Sequence, residues 1–311
     1  MISPRSIAIG PVAKVPSWEW VGADTAKELS KYYDVEQFHS LDKPPQANVI
    51  LIIKRLPQTS FVKTAKLQGS KIIYCPIDYF EAPEDITGSA VTLRMFDMIV
   101  VHCERLKKYL QPFATTHMID HHGKYTLQTM SSYKEKGYVL WVGGFQFMPY
   151  LLKWLNKNPI NHELKFLTNH KSESAWNRAL LIANQIGVNF NLDGLDLYDW
   201  SESLQEIMMY DAKAALDIKG TDFQQITKPP TKAQKYISSG LPLAMNQDSY
   251  SSEYFLLKEF HIATPDQKDR WFSRTYYDET VEYGNKLREF LSIKRIGEQY
   301  KQYIDMCFNR R

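Results

Sequence analysis

The chain has 311 residues, of which 44% are hydrophobic and 23% charged, with a formal net charge of +3 at pH 7. That apolar content supports two ordinary cores and excludes a disordered chain. Charges of both signs are interspersed without a dense basic stripe, so composition gives no reason to expect a nucleic-acid partner. The scattered Cys75, Cys103 and Cys307 lack CxxC spacing, which argues against a disulfide framework or a zinc site and fits a reducing compartment. The opening MISPRSIAIGPVAK lacks the apolar core of a signal peptide. Apolar runs such as 49–53 and 98–101 are strand-length and far too short to span a bilayer. The expected location is the cytoplasm.

Along the chain, short β-branched runs alternate with helical-period segments, the pattern of a parallel sheet wrapped by helices. The first strand is predicted at 7–9, ending at Gly10-Pro11, followed by a loop and a helix over 24–32 that Asp24 could cap. Strands are predicted at 49–53, 71–75 and 98–102, with helices at 61–67 and 105–110, and a short strand at 118–120 closes the first domain. Residues 124–136 are polar, carry no apolar period and read as a linker. The alternation then restarts. Strands are predicted at 138–142, 163–167, 188–191, 214–218 and 242–245. Helices are predicted at 149–155, 174–185, 201–210 and 232–239, two of them stopped by Gly187 and Gly240, and again from about 275 onward. The domains expected are therefore 1–136 and 137–311, both Rossmann-like, an α/β architecture with the domains facing each other across a ligand-binding cleft.

The segment from Lys228 through Pro229, Pro230, Thr231 and Lys232 to Gly240, Pro242 and the apolar run at 243–245 resembles the donor-site helix of GT-B glycosyltransferases, the family 1 and 4 group. The run Val139-Leu-Trp-Val-Gly-Gly-Phe resembles the strand and glycine loop that open the second domain in that group. Pro16-Ser-Trp-Glu-Trp-Val-Gly-Ala-Asp resembles its first acceptor-side loop, with Gly22 at a glycine found before the first helix. The order of elements agrees over nearly the whole chain. The resemblance implies a GT-B fold whose last helix crosses back to the first domain, and a metal-independent transferase with a nucleotide diphosphate sugar as co-substrate and no further cofactor. It places the donor near Gly143, Gly144, Lys228, Thr231, Lys232 and Lys235, and a carbohydrate or glycolipid acceptor near Trp18, Glu19, Gly22 and Asp24.

Physical chemistry points the same way. A helix N-terminus offers N–H donors and a positive dipole end to a pyrophosphate; Thr231 is a candidate N-cap, and Lys228 and Lys232 add charge. The chain also departs from the family. Aligned on Gly240, an E-x7-E pair that holds the donor in one retaining branch is replaced by Thr227 and Lys235, and lysine cannot accept hydrogen bonds from ribose hydroxyls. The arginine that often follows Val-Gly in the glycine loop of that branch is absent, Gly144 and Phe145 standing there.

Candidates for the base that takes the acceptor proton are Asp78, after the 71–75 strand, and His122, after the last strand of the first domain. Each has a plainer reading: Asp78 as a turn or helix cap, and His121 and His122 as structural hydrogen-bonding groups, with only one of the two facing the ligand if the backbone is extended. Trp18 and Trp20 equally suit sugar stacking and packing under the first helix; the Pro-Pro-Thr entry favours phosphate binding by Lys228 and Lys232 over an ordinary exposed surface, whereas Lys235 reads first as a solvated helix residue and second as a ligand contact. Asp193 and Asp196 do not make a convincing metal motif. Tyrosines and lysines of the C-terminal helices leave a peripheral membrane contact open. Two other functions stay open: a non-catalytic GT-B-like binding or scaffold protein, and a nucleotide-sugar epimerase-type enzyme.

Overall fold

A computed structural model describes residues 5–309; the first four residues of the opening segment considered above lie outside them. By internal contacts the chain forms two units. The first comprises residues up to His122, the stretch Thr227–Pro229 and the chain from Phe290 onward; the second comprises Gly123–Ile226 and Pro230–Glu289. Segment 124–136, expected as a linker, groups with the second unit. It is tied there by Leu127 N–H to Ser239 Oγ (3.0 Å) and Ser131 N–H to the Ser239 carbonyl (2.8 Å).

The first unit carries a six-stranded parallel sheet: β1 (Ser6–Gly10), β2 (Asp34–Gln37), β3 (Val49–Ile53), β4 (Lys71–Cys75), β5 (Met98–Val101) and β6 (Thr116–Met118), in the order β2-β1-β3-β4-β5-β6. The second carries a five-stranded parallel sheet of β7 (Val139–Gly143), β8 (Leu164–Thr168), β9 (Asp196–Asp199), β10 (Ala214–Asp217) and β11 (Leu243–Met245), in the order β11-β10-β7-β8-β9. Central strands such as VILII of β3 are buried at every residue, as both faces of a parallel sheet require. The fold is α/β with two Rossmann-like sheets.

Three strand assignments differ from expectation. The third strand of the second sheet in chain order is not 188–191 but β9 at Asp196–Asp199, and β2 has no counterpart among the expected strands. Both are edge strands, DLYD and DVEQ, which lack an apolar run because one side faces solvent; their charges discourage pairing with another chain. The last strand of the first sheet lies at Thr116–Met118 rather than 118–120.

Helix ends follow local chemistry. Ser172 and Ser201 cap the helices Glu173–Ile186 and Glu202–Asp211, their hydroxyls accepting from the N–H groups of Ala175 and Leu204. Gly187 (φ 66°) and Gly240 (φ 68°) adopt the left-handed conformation that ends a helix. Asp24 does not cap: a π-helix over Trp18–Ala23 runs directly into helix Asp24–Leu29, so no free N-terminus exists there. Thr231 is likewise the first helical residue rather than the N-cap, which is Pro230.

The final helix, Ile293–Asn309, completes the core of the first unit. Its Ile296, Tyr300, Ile304 and Cys307 are buried among Ile7, Ile9, Val49 and Leu51. It packs on helix Asp24–Leu29 and on β3, and Tyr33 OH donates to Asp305 Oδ1 at 2.8 Å.

In the second unit, helix Arg274–Phe290 presses on the end of helix Thr231–Ser238. Arg288 donates to the Ser238 carbonyl, and to the carbonyls of Gln128 and Leu127 at 2.7 Å each, so a cation meets the negative end of the helix. Gly284 makes this approach possible: a Cβ there would stand 2.2 Å from the Ile237 carbonyl oxygen. Backbone cannot swing aside as a side chain can. Gly284→Ala is therefore expected to destabilise the protein by about 1–3 kcal/mol through overpacking, read as a lower urea midpoint; an unchanged midpoint contradicts the contact.

Candidate functional site

In the second sheet the chain passes from β7 to β8 and β9 on one side and to β10 and β11 on the other. The order thus reverses between β7 and β10, and ligands of open α/β sheets bind beyond the carboxyl ends of the strands at such a point. Gly143 ends β7 and Asp217 ends β10. Asp217 is 1% exposed, and two lysines approach its oxygens at 2.8 Å: Lys232 Nζ at Oδ1 and Lys219 Nζ at Oδ2. The first is a directed hydrogen bond, the second an ion pair without that geometry. Lys232 Nζ also lies 5.2 Å from the centre of the Trp141 ring and 3.1 Å from where a Cβ on Gly143 would be. Any side chain at Gly143 would collide with Trp141 (2.6 Å). Gly144 leads into the short helix Phe145–Phe147, whose first N–H donates to Asn169 Oδ1 at 2.8 Å.

Helix Thr231–Ser238 is anchored to this point by Tyr236, whose hydroxyl accepts from the Val142 N–H at 3.0 Å. Lys235, three residues beyond Lys232, reaches Gln205 Oε1 at 3.3 Å and lies 5.3 Å over the Tyr125 ring. Gln205 is buried and also accepts from Trp200 Nε1 at 3.0 Å.

These groups perturb one another. Burial pushes the Asp217 carboxyl up, but the charges of Lys219 and Lys232 outweigh it and hold the group below the usual carboxylate range. Burial lowers Lys232 to about 8 against the pull of Asp217. Burial, with the Lys232 charge second, lowers Lys235 to about 7. The sequence-based candidates Gly143, Lys232 and Lys235 therefore converge here, and Thr231 opens the same helix. Lys228 belongs to the stretch that groups with the first unit. Sequence reasoning missed Asp217 and Lys219; a carboxylate ending an apolar strand, with lysine two residues later, was the available signal.

In the first unit the carboxyl ends of β4, β5 and β6 gather a different set. A carbonyl can only accept, so His102 Nδ1 donates to the Ile119 carbonyl (2.6 Å), and its Nε2 accepts the Cys75 thiol proton (Sγ···Nε2 3.1 Å). The His102 and His121 ring centres are 4.0 Å apart, and Trp20 lies 5.6 Å from His121 and 6.3 Å from His122. His122 Nε2 meets Asp24 Oδ2 at 3.0 Å, and Trp20 Nε1 donates to the His122 carbonyl at 2.8 Å. His121 and His122 both contact Trp20 because this segment is irregular, so strand alternation does not apply.

Trp18 is buried in the core, its ring over Gly22, where a Cβ would fall 2.2 Å from it. Glu19 and Asp78 are exposed, Asp78 on a left-handed backbone (φ 47°) just beyond β4. Asp24, Trp20 and His122 are thus brought together, while Trp18 packs beneath. No group of three or more His, Cys, Asp or Glu side chains among the described residues is arranged to hold a metal ion.

No protein-family model matches the chain, and no curated protein matches it in sequence. Solved structures do match in fold. Sucrose-phosphate synthase from Thermosynechococcus elongatus superposes with a TM-score of 0.68 at 10% identity, covering 99% of this chain and 100% of that one. A glycosyltransferase from Rickettsia africae gives 0.62 at 9% identity, over 98% and 99%. HepE of Anabaena in complex with UDP-glucose gives 0.61 at 9% identity, over 97% and 100%. Accessory secretory protein 1, 2 and 3 of Streptococcus pneumoniae gives 0.51 at 13% identity over 85% of this chain; the chain spans about half, 54%, of that one. The chain has the GT-B glycosyltransferase fold.

The buried histidines make stability depend on pH. Burial lowers His102 to about 4, the Ile119 hydrogen bond and the Asp78 charge opposing it; burial, then the charges of His102 and His122, hold His121 well below its ordinary value. Both are neutral when folded, whereas unfolded histidine protonates near 6.5. Below that pH the unfolded chain binds more protons, so their contribution is complete above 6.5 and is lost as pH falls. Between pH 6.5 and 5 the pair should cost stability on the order of 1 kcal/mol or more per pH unit. Urea midpoints that stay level from pH 7.5 to 5 would contradict this.

Proposed function

We propose that the chain is a glycosyltransferase that moves a sugar from a nucleotide diphosphate sugar to an acceptor hydroxyl, in polysaccharide or glycolipid synthesis. The lysine cluster at the strand-order reversal of the second sheet carries the reading. A leaving diphosphate needs positive charge in a site of low dielectric, and Lys232 and Lys235 supply it from one helix face. Gly143 and Gly144 let backbone approach the donor, and Thr231 contributes a further hydrogen-bond donor. The GT-B fold, and a similar structure that holds UDP-glucose, support this class of donor. The lysines take the part a metal would otherwise play, and no cofactor beyond the donor is invoked.

The first unit holds the carbohydrate or glycolipid acceptor through Trp20, Glu19 and Asp24. His122 is the better placed base. Its Nε2 faces Asp24, which fixes the ring and stabilises the imidazolium formed when it takes the acceptor proton. Asp78 is the substitute. We place the work in the cytoplasm or at its membrane surface; no helix among the described residues is long and apolar enough to cross a membrane.

A non-catalytic binding role is the second reading. The lysine in place of a ribose-binding glutamate favours it, as does the likeness to an accessory secretory protein. Donor binding without transfer to any acceptor would select it, and conversion of donor alone would select an epimerase-type enzyme.

Calorimetric titration with UDP, GDP, dTDP and their sugar conjugates should give micromolar binding for one base. Lys232→Ala should weaken that binding at least about tenfold, or ~1.4 kcal/mol; equal affinity removes Lys232 from the donor site. With an acceptor that supports turnover, His122→Ala should lower kcat by about 10²- to 10⁴-fold and leave UDP affinity unchanged. An unaltered kcat moves the base to Asp78.

A further inference from the structure

We propose that Asp217 is a positioning residue, keeping Lys232 protonated and aimed so that the second unit binds diphosphate at neutral pH. The inference rests on the diphosphate reading of this site and adds a residue that no resemblance supplied.

The argument begins with cost. An isolated carboxylate at the end of an apolar strand, 1% exposed, would be neutralised or excluded. Asp217 is retained as an anion because Lys219 and Lys232 both reach it at 2.8 Å. For stability alone, one lysine would balance one carboxylate. The second leaves the trio with a net positive charge, and Lys235 stands three residues along the same helix.

The two partners differ in exposure. Lys219 is 9% exposed and serves as the inner counter-ion; Lys232 is 25% exposed, lies over Trp141 and borders Gly143. An ammonium has three N–H donors, so pairing with Asp217 does not exhaust Lys232. Asp217 fixes where Lys232 stands and the Trp141 face limits where it can swing. An arriving phosphate oxygen then meets a charged donor already in position.

The titratable groups facing this site are few. Lys219 and Lys232 act on Asp217, which in turn raises Tyr236; Asp217 and Lys219 act on Lys232; Lys232 and Glu202 act on Lys235. Only Asp217 raises Lys232. Burial and the neighbouring Lys219 both press Lys232 to lose its proton, and with Asp217 present it still holds at about 8. Without that carboxylate Lys232 should be neutral at physiological pH and a poor diphosphate ligand.

The test uses the whole 311-residue chain with UDP and inorganic pyrophosphate as probes, at pH 6 and pH 8, for wild type, Asp217→Asn and Asp217→Glu. In parallel, acetylation of Lys232 is followed against pH by peptide mass spectrometry. Asp217→Asn should bind UDP as tightly as wild type at pH 6 and at least about fivefold more weakly at pH 8. Its Lys232 labelling midpoint should fall by about one pH unit, which is tenfold in protonation, and Asp217→Glu should restore both. Equal weakening at the two pH values marks a merely structural role and overturns the proposal, as does an unmoved labelling midpoint. Should Asp217→Asn fail to fold, Lys219→Met decides: with one competitor gone, the Lys232 midpoint should rise, and an unchanged or lower midpoint overturns the inference. Wild type that binds neither probe at either pH overturns the diphosphate reading itself. An unmoved midpoint with UDP binding intact overturns only the part given to Asp217.

Discussion

A parallel sheet buried on both faces can hold polar side chains only where its strands end. Along β3 and β7 nearly every side chain is apolar and buried, because helices cover both faces of such sheets. The backbone groups in the middle are spent on the ladder, while those at the carboxyl ends give way to loops. Chemistry therefore collects there in each unit. Asp217 and Gly143 end β10 and β7, and Cys75, His102 and the His121–His122 pair stand at or just beyond the ends of β4, β5 and β6. In the second unit the order reverses between β7 and β10, the kind of point at which open α/β sheets bind ligands.

Burying charge at such a place has a physical cost that shapes the residues around it. Asp217 needs both lysines; the lysines, stripped of water, give up part of their basicity; and the helix carrying Lys232 and Lys235 must be held rigidly for the geometry to persist. The Tyr236 hydroxyl on the Val142 N–H holds one face of that helix, and Arg288 holds its end. Gly284 lets the neighbouring helix lie directly on the Ile237 carbonyl. The packing of helices remote from the lysines is thus part of what aims them.

Much of this was legible in the sequence. The alternation of apolar runs with helical segments gave the α/β class, and Lys71–Cys75 was read to the residue because its run is uninterrupted and stopped by Pro76. The edge strands β2 and β9 were not legible, since a strand covered on one side carries no continuous apolar run. Local rules misplaced two caps. Asp24 and Thr231 have the right residue types, but a π-helix upstream removes one helix terminus, and Pro230 takes the N-cap position of the other. For the candidate site, sequence pointed to Lys232 and Lys235 through their helix and to His122 through its strand end. It could not pair them. That Asp217 meets Lys232 across fifteen positions, or Asp24 meets His122 across ninety-eight, depends on sheet order, which residue types do not encode.

The two sets of strand ends also differ in charge, and the difference bears on what each can bind. In the first unit burial leaves His102 and His121 neutral and raises the Cys75 thiol to about 12, so these three carry no charge, while Asp24 stands against His122 beside them. In the second, three lysines stand against one carboxylate in a setting that strengthens every Coulomb interaction. Unpaired charge in such a setting is costly unless an opposite charge meets it. Burial and ion pairing thus give the strand ends of the two units different charge, independently of the superposition on other structures.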